Sequence, residues 1–96
     1  TKLVERLVYL GYERMVEVEA MGHFARRGGI LDVWAVGQND PLRLEFDGDV
    51  LASLRRFDAS SQRSIEKLPE ARVLPRYEIL VEPHEAEAVA IAQISD

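Results

Sequence analysis

The chain has 96 residues, of which 47% are hydrophobic and 30% charged, a composition typical of one small folded domain rather than a disordered segment. Its formal net charge of −5 argues against broad nucleic-acid binding, and the absence of cysteine excludes disulfides, thiolate metal sites and cysteine nucleophiles. No apolar run approaches the ~20 residues that span a membrane. The chain begins at Thr1 without an initiator methionine, so we expect a fragment of a longer protein. Since it has no cysteine, a cytoplasmic location is expected.

The predicted elements are a helix, a series of short strands and a second helix. Leucines recur at helical spacing between residues 2 and 10, ahead of a glycine that ends the predicted helix. The run 30–36 is the most apolar, and it predicts a central strand buried on both faces apart from Asp32. Residues 42–46 alternate strictly, which places Arg43 on the polar face of a strand. The strands are predicted, in chain order, over 12–19, 24–27, 30–36, 42–46, 50–57 and 71–74.

The connections between these strands are short. Gly28-Gly29 is expected to form a turn or bulge before the central strand, and 47–49 is a turn signal of the hairpin type. Short turns favour antiparallel pairing. The last segment, 83–94, has a proline at its start followed by acids, which predicts a second helix. We therefore expect a single α+β domain over residues 1–96, mainly an antiparallel sheet with a short helix near each terminus.

The residues that carry chemistry in enzymes and metal sites form no convincing cluster. His23 and His84 are isolated from any nucleophile, so both are interpreted as surface residues. The acidic start of a solvated helix explains His84 with Glu85 and Glu87 better than a metal site does. The glycines around Gly28 match neither of the two common phosphate-binding loop patterns, G-x-x-x-x-G-K-[ST] and G-x-G-x-x-G. The sequence therefore predicts no catalytic residue, cofactor or metal.

The arginines support a more specific hypothesis. Arg26 and Arg27 are adjacent, so in an extended strand they point to opposite faces. If the neighbouring strands pair, Arg27 and Arg43 approach each other on one surface. The alternative is an ordinary solvated face, on which Arg43 forms weak salt bridges with Glu45 and Asp47.

Several runs of the chain resemble a known family signature. Residues 24–33 are similar to the F-A-x-R-G-G-I-L-D run of the UvrA-interacting domain, which is shared by the transcription-repair coupling factor (Mfd) and the excision-repair helicase UvrB. The resemblance covers about residues 3–80, and the Q-R-S and V-L-P motifs favour the coupling factor. The other segments that resemble the family are 10–14, 41–49, 54–58 and 61–64.

The resemblance implies a non-catalytic module that docks the repair ATPase UvrA. The parent protein is then expected to be an ATP-dependent DNA translocase whose motor motifs lie outside this chain. The resemblance also implies that another domain of the parent masks the surface until the motor engages RNA polymerase. By motif position, the partner-binding residues are Arg27, Arg43 and Asp47, with Arg26 and Glu45 as secondary candidates.

Asp47 departs from the family pattern. The family commonly has two aromatic residues here, whereas this chain has Phe46 followed by Asp47. Alternation turns Phe46 toward the core, so the exposed aromatic contact is expected to be missing. The acid is expected to pair with Arg43 or with a basic residue of the partner. For Arg55 and Arg56 the solvated-face interpretation stands.

Four alternatives to the docking module of a coupling factor remain open. They are the equivalent domain of UvrB, a DNA-contacting module, a small enzyme and a structural spacer. A DNA-contacting module that uses the same arginines predicts steep loss of binding with salt, and the net charge of −5 weighs against it. A spacer predicts that charge reversal at Arg27 leaves partner binding unchanged.

Overall fold

The computed structural model describes residues 2–76 and 89–92. Strands β1 to β6 form one sheet in sequential order, and β7 pairs with β8 in a separate two-stranded sheet. This is the α+β class that the sequence predicts. The elements are helix α1 (Lys2–Tyr9) and strands β1 (Glu13–Arg14), β2 (His23–Arg27), β3 (Ile30–Val33), β4 (Leu42–Asp47), β5 (Val50–Phe57), β6 (Ser64–Lys67), β7 (Glu70–Val73) and β8 (Val89–Ala92).

Helix α1 forms because its leucines share one side. Leu3 and Leu7 are four residues apart and Leu10 follows three later, which aligns them along one helical face. Leu7 and Leu10 are buried and Leu3 packs against the same core. Gly11 follows the helix with a φ of 92°, a conformation that glycine adopts without steric cost. Within the described residues, no helix is long and apolar enough to span a membrane.

Two-residue turns build two hairpins of the large sheet, β2–β3 and β4–β5. The register pairs Arg27 with Ile30 around Gly28-Gly29, and it closes a second turn at Gly48-Asp49. Gly28 and Gly48 have φ values of 57° and 62°. A Cβ at Gly29 would lie 2.9 Å from the Phe46 carbonyl oxygen, so this position has no room for a side chain. Both predicted turns are confirmed.

The two faces of the large sheet differ in chemistry. Apolar side chains in register on one face form the core together with Leu7 and Leu10 of α1. Each such side chain contributes about 1.5–3 kcal/mol when buried, so this core face is the main source of stability. The core face carries Phe24, Leu31, Val33, Leu42, Leu44 and Leu54. The opposite face, called the outer face below, carries Ala25, Arg27, Asp32, Arg43, Glu45, Arg55 and Phe57.

A β-bulge in β5 puts Leu51 on the core side, opposite Phe46. The register between β4 and β5 shifts between Glu45 and Phe46, so that β5 has an extra residue at Ala52. Such a residue lets the strand change the face that its side chains use. Leu51 beyond the bulge is therefore buried, and Phe46 packs against the core as the alternation predicts.

Strand β7 is tied to the main core at its carboxyl end. Val73 is fully buried in the core cluster. The Tyr12 hydroxyl donates to the Leu74 carbonyl oxygen at 2.7 Å and accepts from the Val36 amide at 3.1 Å. Burial raises the pKa of Tyr12, although the hydrogen bond from Val36 and the nearby charge of Arg76 oppose the rise. These contacts hold the carboxyl end of β7 against the core of the large sheet, although β7 itself belongs to the second sheet.

The structure corrects several sequence-based expectations about the elements. Residues 89–92 form β8, which pairs antiparallel with β7, so the helix predicted over 83–94 is wrong for these four residues. The other residues of that segment lie outside the described ranges. The strand expected over 12–19 is confined to β1, which joins β2 in parallel rather than antiparallel. The strand expected over 30–36 ends at Val33.

Candidate functional site

Asp32 and Arg43 form a bidentate ion pair on the outer face. The register of β3 and β4 places them directly opposite each other. Arg43 Nε donates to Asp32 Oδ1 at 2.8 Å, and Nη2 donates to Oδ2 at 2.9 Å. Asp32 is only 7% exposed, which corrects the expectation that it is the one unburied position of its strand. Two parallel charge-assisted bonds fix the direction of the guanidinium as well as its position.

Arg43 is also held by Phe57 and Gln62. Its Cζ lies 4.2 Å from the centroid of the Phe57 ring, a cation–π contact, and Phe57 is 2% exposed. Nη2 donates a second hydrogen bond to Gln62 Oε1 at 2.8 Å. The Gln62 Nε2 donates to the Ala59 carbonyl oxygen at 2.8 Å, which orients the amide oxygen toward Arg43. The guanidinium is therefore fixed on three sides.

The turn over 58–62 positions Gln62. Asp58 Oδ1 accepts from the Ser60 amide and hydroxyl, each at 2.8 Å, and from the Ser61 amide at 3.3 Å. The Gln62 amide donates to the Asp58 carbonyl oxygen at 2.7 Å, and Gln62 has a φ of 65°. The Ser60 hydroxyl and the two amides lower the pKa of Asp58 because they favour its charged form. The turn is thus built before any partner binds.

The electrostatics of Arg43 follow from these contacts. The hydrogen bond to Asp32 raises the pKa of Arg43, desolvation opposes the rise, and the charges of Asp32 and Glu45 add to it. Among the described residues, Arg43 Nη1 donates no hydrogen bond. Arg43 therefore has one amino group left for an external acceptor, while the rest of its guanidinium stabilises the outer face.

Arg27 lies on the same face as Arg43, but its side chain is not held by neighbouring groups. Its side chain is exposed and forms no ion pair or hydrogen bond within the described part of the chain. It lines a pocket of about 280 Å³ with Asp32, Phe57 and Gln62, the three residues that Arg43 contacts. The structure therefore brings Arg27 and Arg43 to one surface, where Arg27 is available to a partner and Arg43 is mostly committed.

The other candidate residues lie around or away from this surface. Glu45 and Asp47 are exposed toward the end of β4, and neither forms an ion pair with a described residue. The ion pair expected between Asp47 and Arg43 does not occur among the described residues, because the Asp32 carboxylate binds the Arg43 guanidinium instead. Arg26 lies on the opposite face, where it lines a cavity of about 690 Å³ next to α1. Arg26 Nε donates to the Gly28 carbonyl oxygen at 3.4 Å.

Arg55 and Arg56 make contacts within their own hairpin. Arg55 donates to the Ser53 hydroxyl at 3.1 Å and to the Ser64 hydroxyl at 3.4 Å. Arg56 pairs with Glu66 at 2.7 Å. Arg55 is exposed, as the solvated-face interpretation expects. Arg56 departs from that interpretation, because it is half-buried and lies in register with Leu42 of the core face.

Sequence reasoning did not identify Asp32, Phe57 and Gln62 as parts of the site. Asp32 carried a signal, since it is the lone acid in an apolar strand next to a strand that contains Arg43. Phe57 and Gln62 carried none, because their contacts depend on a turn and on a strand register. No group of three or more potential metal ligands occurs within residues 2–76 and 89–92. His84, Glu85 and Glu87 lie outside those ranges.

The outer face thus presents one fixed and one exposed arginine at its surface. The chain belongs to the family described as the UvrB interaction domain, which matches residues 1–78. That range contains every residue of the outer face described above.

Named relatives place the chain more closely within this family. A transcription-repair-coupling factor of Myxococcus xanthus is 43% identical over 79 residues, which are 82% of this chain and 7% of the relative. The transcription-repair-coupling factor of Bacillus subtilis is 39% identical over 84 residues, 88% of this chain and 7% of that protein. A UvrABC system protein B of Pseudothermotoga lettingae is 30% identical over 78 residues, 81% of this chain and 12% of that protein. Identity is higher to the coupling factors, which agrees with the preference drawn from the motifs.

Proposed function

We propose that this chain is the module of a transcription-repair coupling factor that docks the nucleotide excision repair ATPase UvrA. Membership of the UvrB interaction domain family and the higher identities to coupling factors support this assignment. The chain spans about 7% of the length of those two relatives. We therefore assign docking to the chain, and translocation on DNA in the cytoplasm to the longer protein that would contain it.

The observation that carries the proposal is that an exposed arginine, Arg27, and a fixed arginine, Arg43, lie on the same outer face. Arg27 has all of its guanidinium donors available, judged by the described residues. Planar guanidinium groups bind carboxylates in a bidentate manner, so Arg27 is proposed to bind an acidic residue of UvrA. Arg43 contributes its remaining amino group and keeps the surface around Arg27 in place.

The acidic end of β4 extends this surface. Asp47 is exposed beside Gly48 at the hairpin turn, and we propose that it pairs with a basic residue of UvrA, with Glu45 in a secondary role. The register places Arg27 beside Ile30 and Ile30 beside Glu45, so the cation and the acids lie two strands apart at one end of the sheet. Opposite charges arranged in this way fix the orientation of a partner and disfavour wrong partners. Arg26 points to the other face and is left out of this docking surface.

The proposed masking of the surface has the same physical basis. Another domain of the parent would cover Arg27 with a carboxylate of its own, and it would compete with UvrA for the outer face. A covering domain would lower the apparent affinity for UvrA in proportion to the fraction of molecules in which it is bound.

Calorimetric titration of the chain with purified UvrA tests the proposal. Wild-type chain should bind saturably, and Arg27→Ala should weaken binding about 30-fold, the effect of removing an arginine worth about 2 kcal/mol at an interface. Arg14→Ala is the matched control because Arg14 is an exposed arginine on β1, in register with the core-face residue Phe24.

The control should bind UvrA within twofold of wild type, and circular dichroism should show that both variants remain folded. If folded wild-type chain shows no heat of binding with UvrA, the proposal is wrong. Equal weakening by Arg27→Ala and Arg14→Ala would point to non-specific charge attraction instead of a docking site.

A further inference from the structure

Val16 is the most exposed large apolar side chain of the described residues, at 92%. A single exposed aliphatic residue is ordinary on a protein surface, so its surroundings decide whether it has a role. Val16 lies in the segment 15–19 between β1 and β2, where it lines the same outer-face pocket as Arg27.

The segment that carries Val16 is attached at both ends. The Met15 amide donates to the Phe24 carbonyl oxygen at 2.8 Å. The Glu19 amide donates to His23 Nδ1 at 3.3 Å. Val18, two residues after Val16, is buried. The backbone is thus held so that one valine points inward and the other is presented to solvent.

The pocket beside Val16 has both apolar and charged walls. Its volume is about 280 Å³, and Val16, Val18 and Phe57 form its apolar part. The polar part is Arg27, Gln62, Glu17 and Asp32, of which Asp32 is already paired with Arg43. This volume lies below the ~300–1,000 Å³ typical of small-molecule sites. A space of this size suits one side chain of a docked protein better than a cofactor.

We propose that this pocket receives an aliphatic side chain of the partner protein, next to a partner carboxylate that pairs with Arg27, and that Val16 is the apolar contact of the docking surface. The inference rests on the proposed docking of UvrA. The partner carboxylate is expected next to Arg27, because Glu17, the exposed acid that lines the same pocket, would repel it. Val16 would then supply the apolar contact that Asp47 does not.

The test compares two valine variants in the calorimetric titration with UvrA. Val16→Ser should weaken binding about tenfold, since burial of one valine is lost from the interface. Val8→Ser is the matched control because Val8 is exposed on α1, which packs on the core face. The slope of log Kd against log salt should be unchanged in Val16→Ser and reduced in Arg27→Ala, because only the second substitution removes a charge.

The outcomes separate this inference from the proposed function. Binding of UvrA that Arg27→Ala weakens and Val16→Ser leaves equal to Val8→Ser would overturn the apolar contact while the docking site stands. Absence of UvrA binding by the wild-type chain would overturn both. Weakening by Val16→Ser with an unchanged salt slope and a silent Val8→Ser control would support the inference.

Discussion

Adjacent residues of one strand have different roles on the core face and on the outer face of the large sheet. Leu44 is fully buried in the core cluster, whereas Arg43, one residue earlier, points to the outer face and pairs with Asp32. Apolar burial is non-directional, and it stabilises the fold in proportion to area. A buried ion pair adds little net stability, but its geometry is specific. The comparison therefore predicts that substitutions on the core face damage folding most, and that outer-face substitutions divide into structural and binding effects.

The largest effect is expected from Leu44→Ala. Removing a fully buried leucine leaves a cavity between the sheet and α1, and such substitutions cost 2–5 kcal/mol, here about 4 kcal/mol. Small domains have only about 5–15 kcal/mol of stability, so the variant should be close to unfolding at 37 °C. Urea denaturation measures the loss. A loss below about 1 kcal/mol would mean that Leu44 is not central to the core.

A somewhat smaller effect is expected from Arg43→Ala. The substitution leaves the Asp32 carboxylate buried without its partner, which costs about 3 kcal/mol, at the low end of the range for buried pairs. The low end applies because the Arg43 side chain is 18% exposed and the Asp32 side chain 9%. The double variant Asp32→Asn with Arg43→Ala should recover part of the loss, because a neutral amide is cheaper to bury.

The exposed arginine is the comparison for this variant. Arg27→Ala should change the free energy of unfolding by less than about 0.5 kcal/mol, as for other surface substitutions. Equal losses for Arg27→Ala and Arg43→Ala in urea denaturation would contradict the division between an available and a committed arginine.

The smallest effect is expected at the turn that positions Gln62. Ser60→Ala removes the hydroxyl bond that contributes most to the lowered pKa of Asp58, so that pKa should rise toward its ordinary value. Because the pKa is lower in the folded chain, the stabilising contribution is present above the unfolded value of ~3.9 and is lost as the pH falls through the folded value. NMR titration of the Asp58 carboxyl measures the shift. An identical pKa in the variant would show that the hydroxyl is not the cause.

The sequence predicts the core face well because its signals are local. The leucine spacing of α1 and the strict alternation of 42–46 each depend on neighbours in the chain, and both elements are confirmed. Glycines mark both hairpin turns for the same reason. These features follow from backbone geometry and from the burial of the core face.

The sequence predicts other elements poorly because they depend on distant partners. Residues 89–92 alternate β-branched residues with alanine, and they follow the proline and acids that predict a helix over 83–94. Pairing with β7 makes these four residues a strand. Strand β6 is exposed along its length and shows no alternation, and its pairing with β5 is what defines it. The partner of Arg43 also depends on a distant strand. The register of β3 and β4 places Asp32 opposite Arg43, whereas Glu45 and Asp47 are nearer in sequence and do not pair with it.

Titration of UvrA with Arg27→Ala beside Arg14→Ala tests the central claim most directly. Each variant removes one exposed arginine and leaves the core untouched, but only Arg27 lies on the outer face. Binding is expected to be about 30-fold weaker for Arg27→Ala, and within twofold of wild type for Arg14→Ala. Equal affinity of wild-type chain and Arg27→Ala for UvrA would contradict the assignment of the outer face as the docking surface.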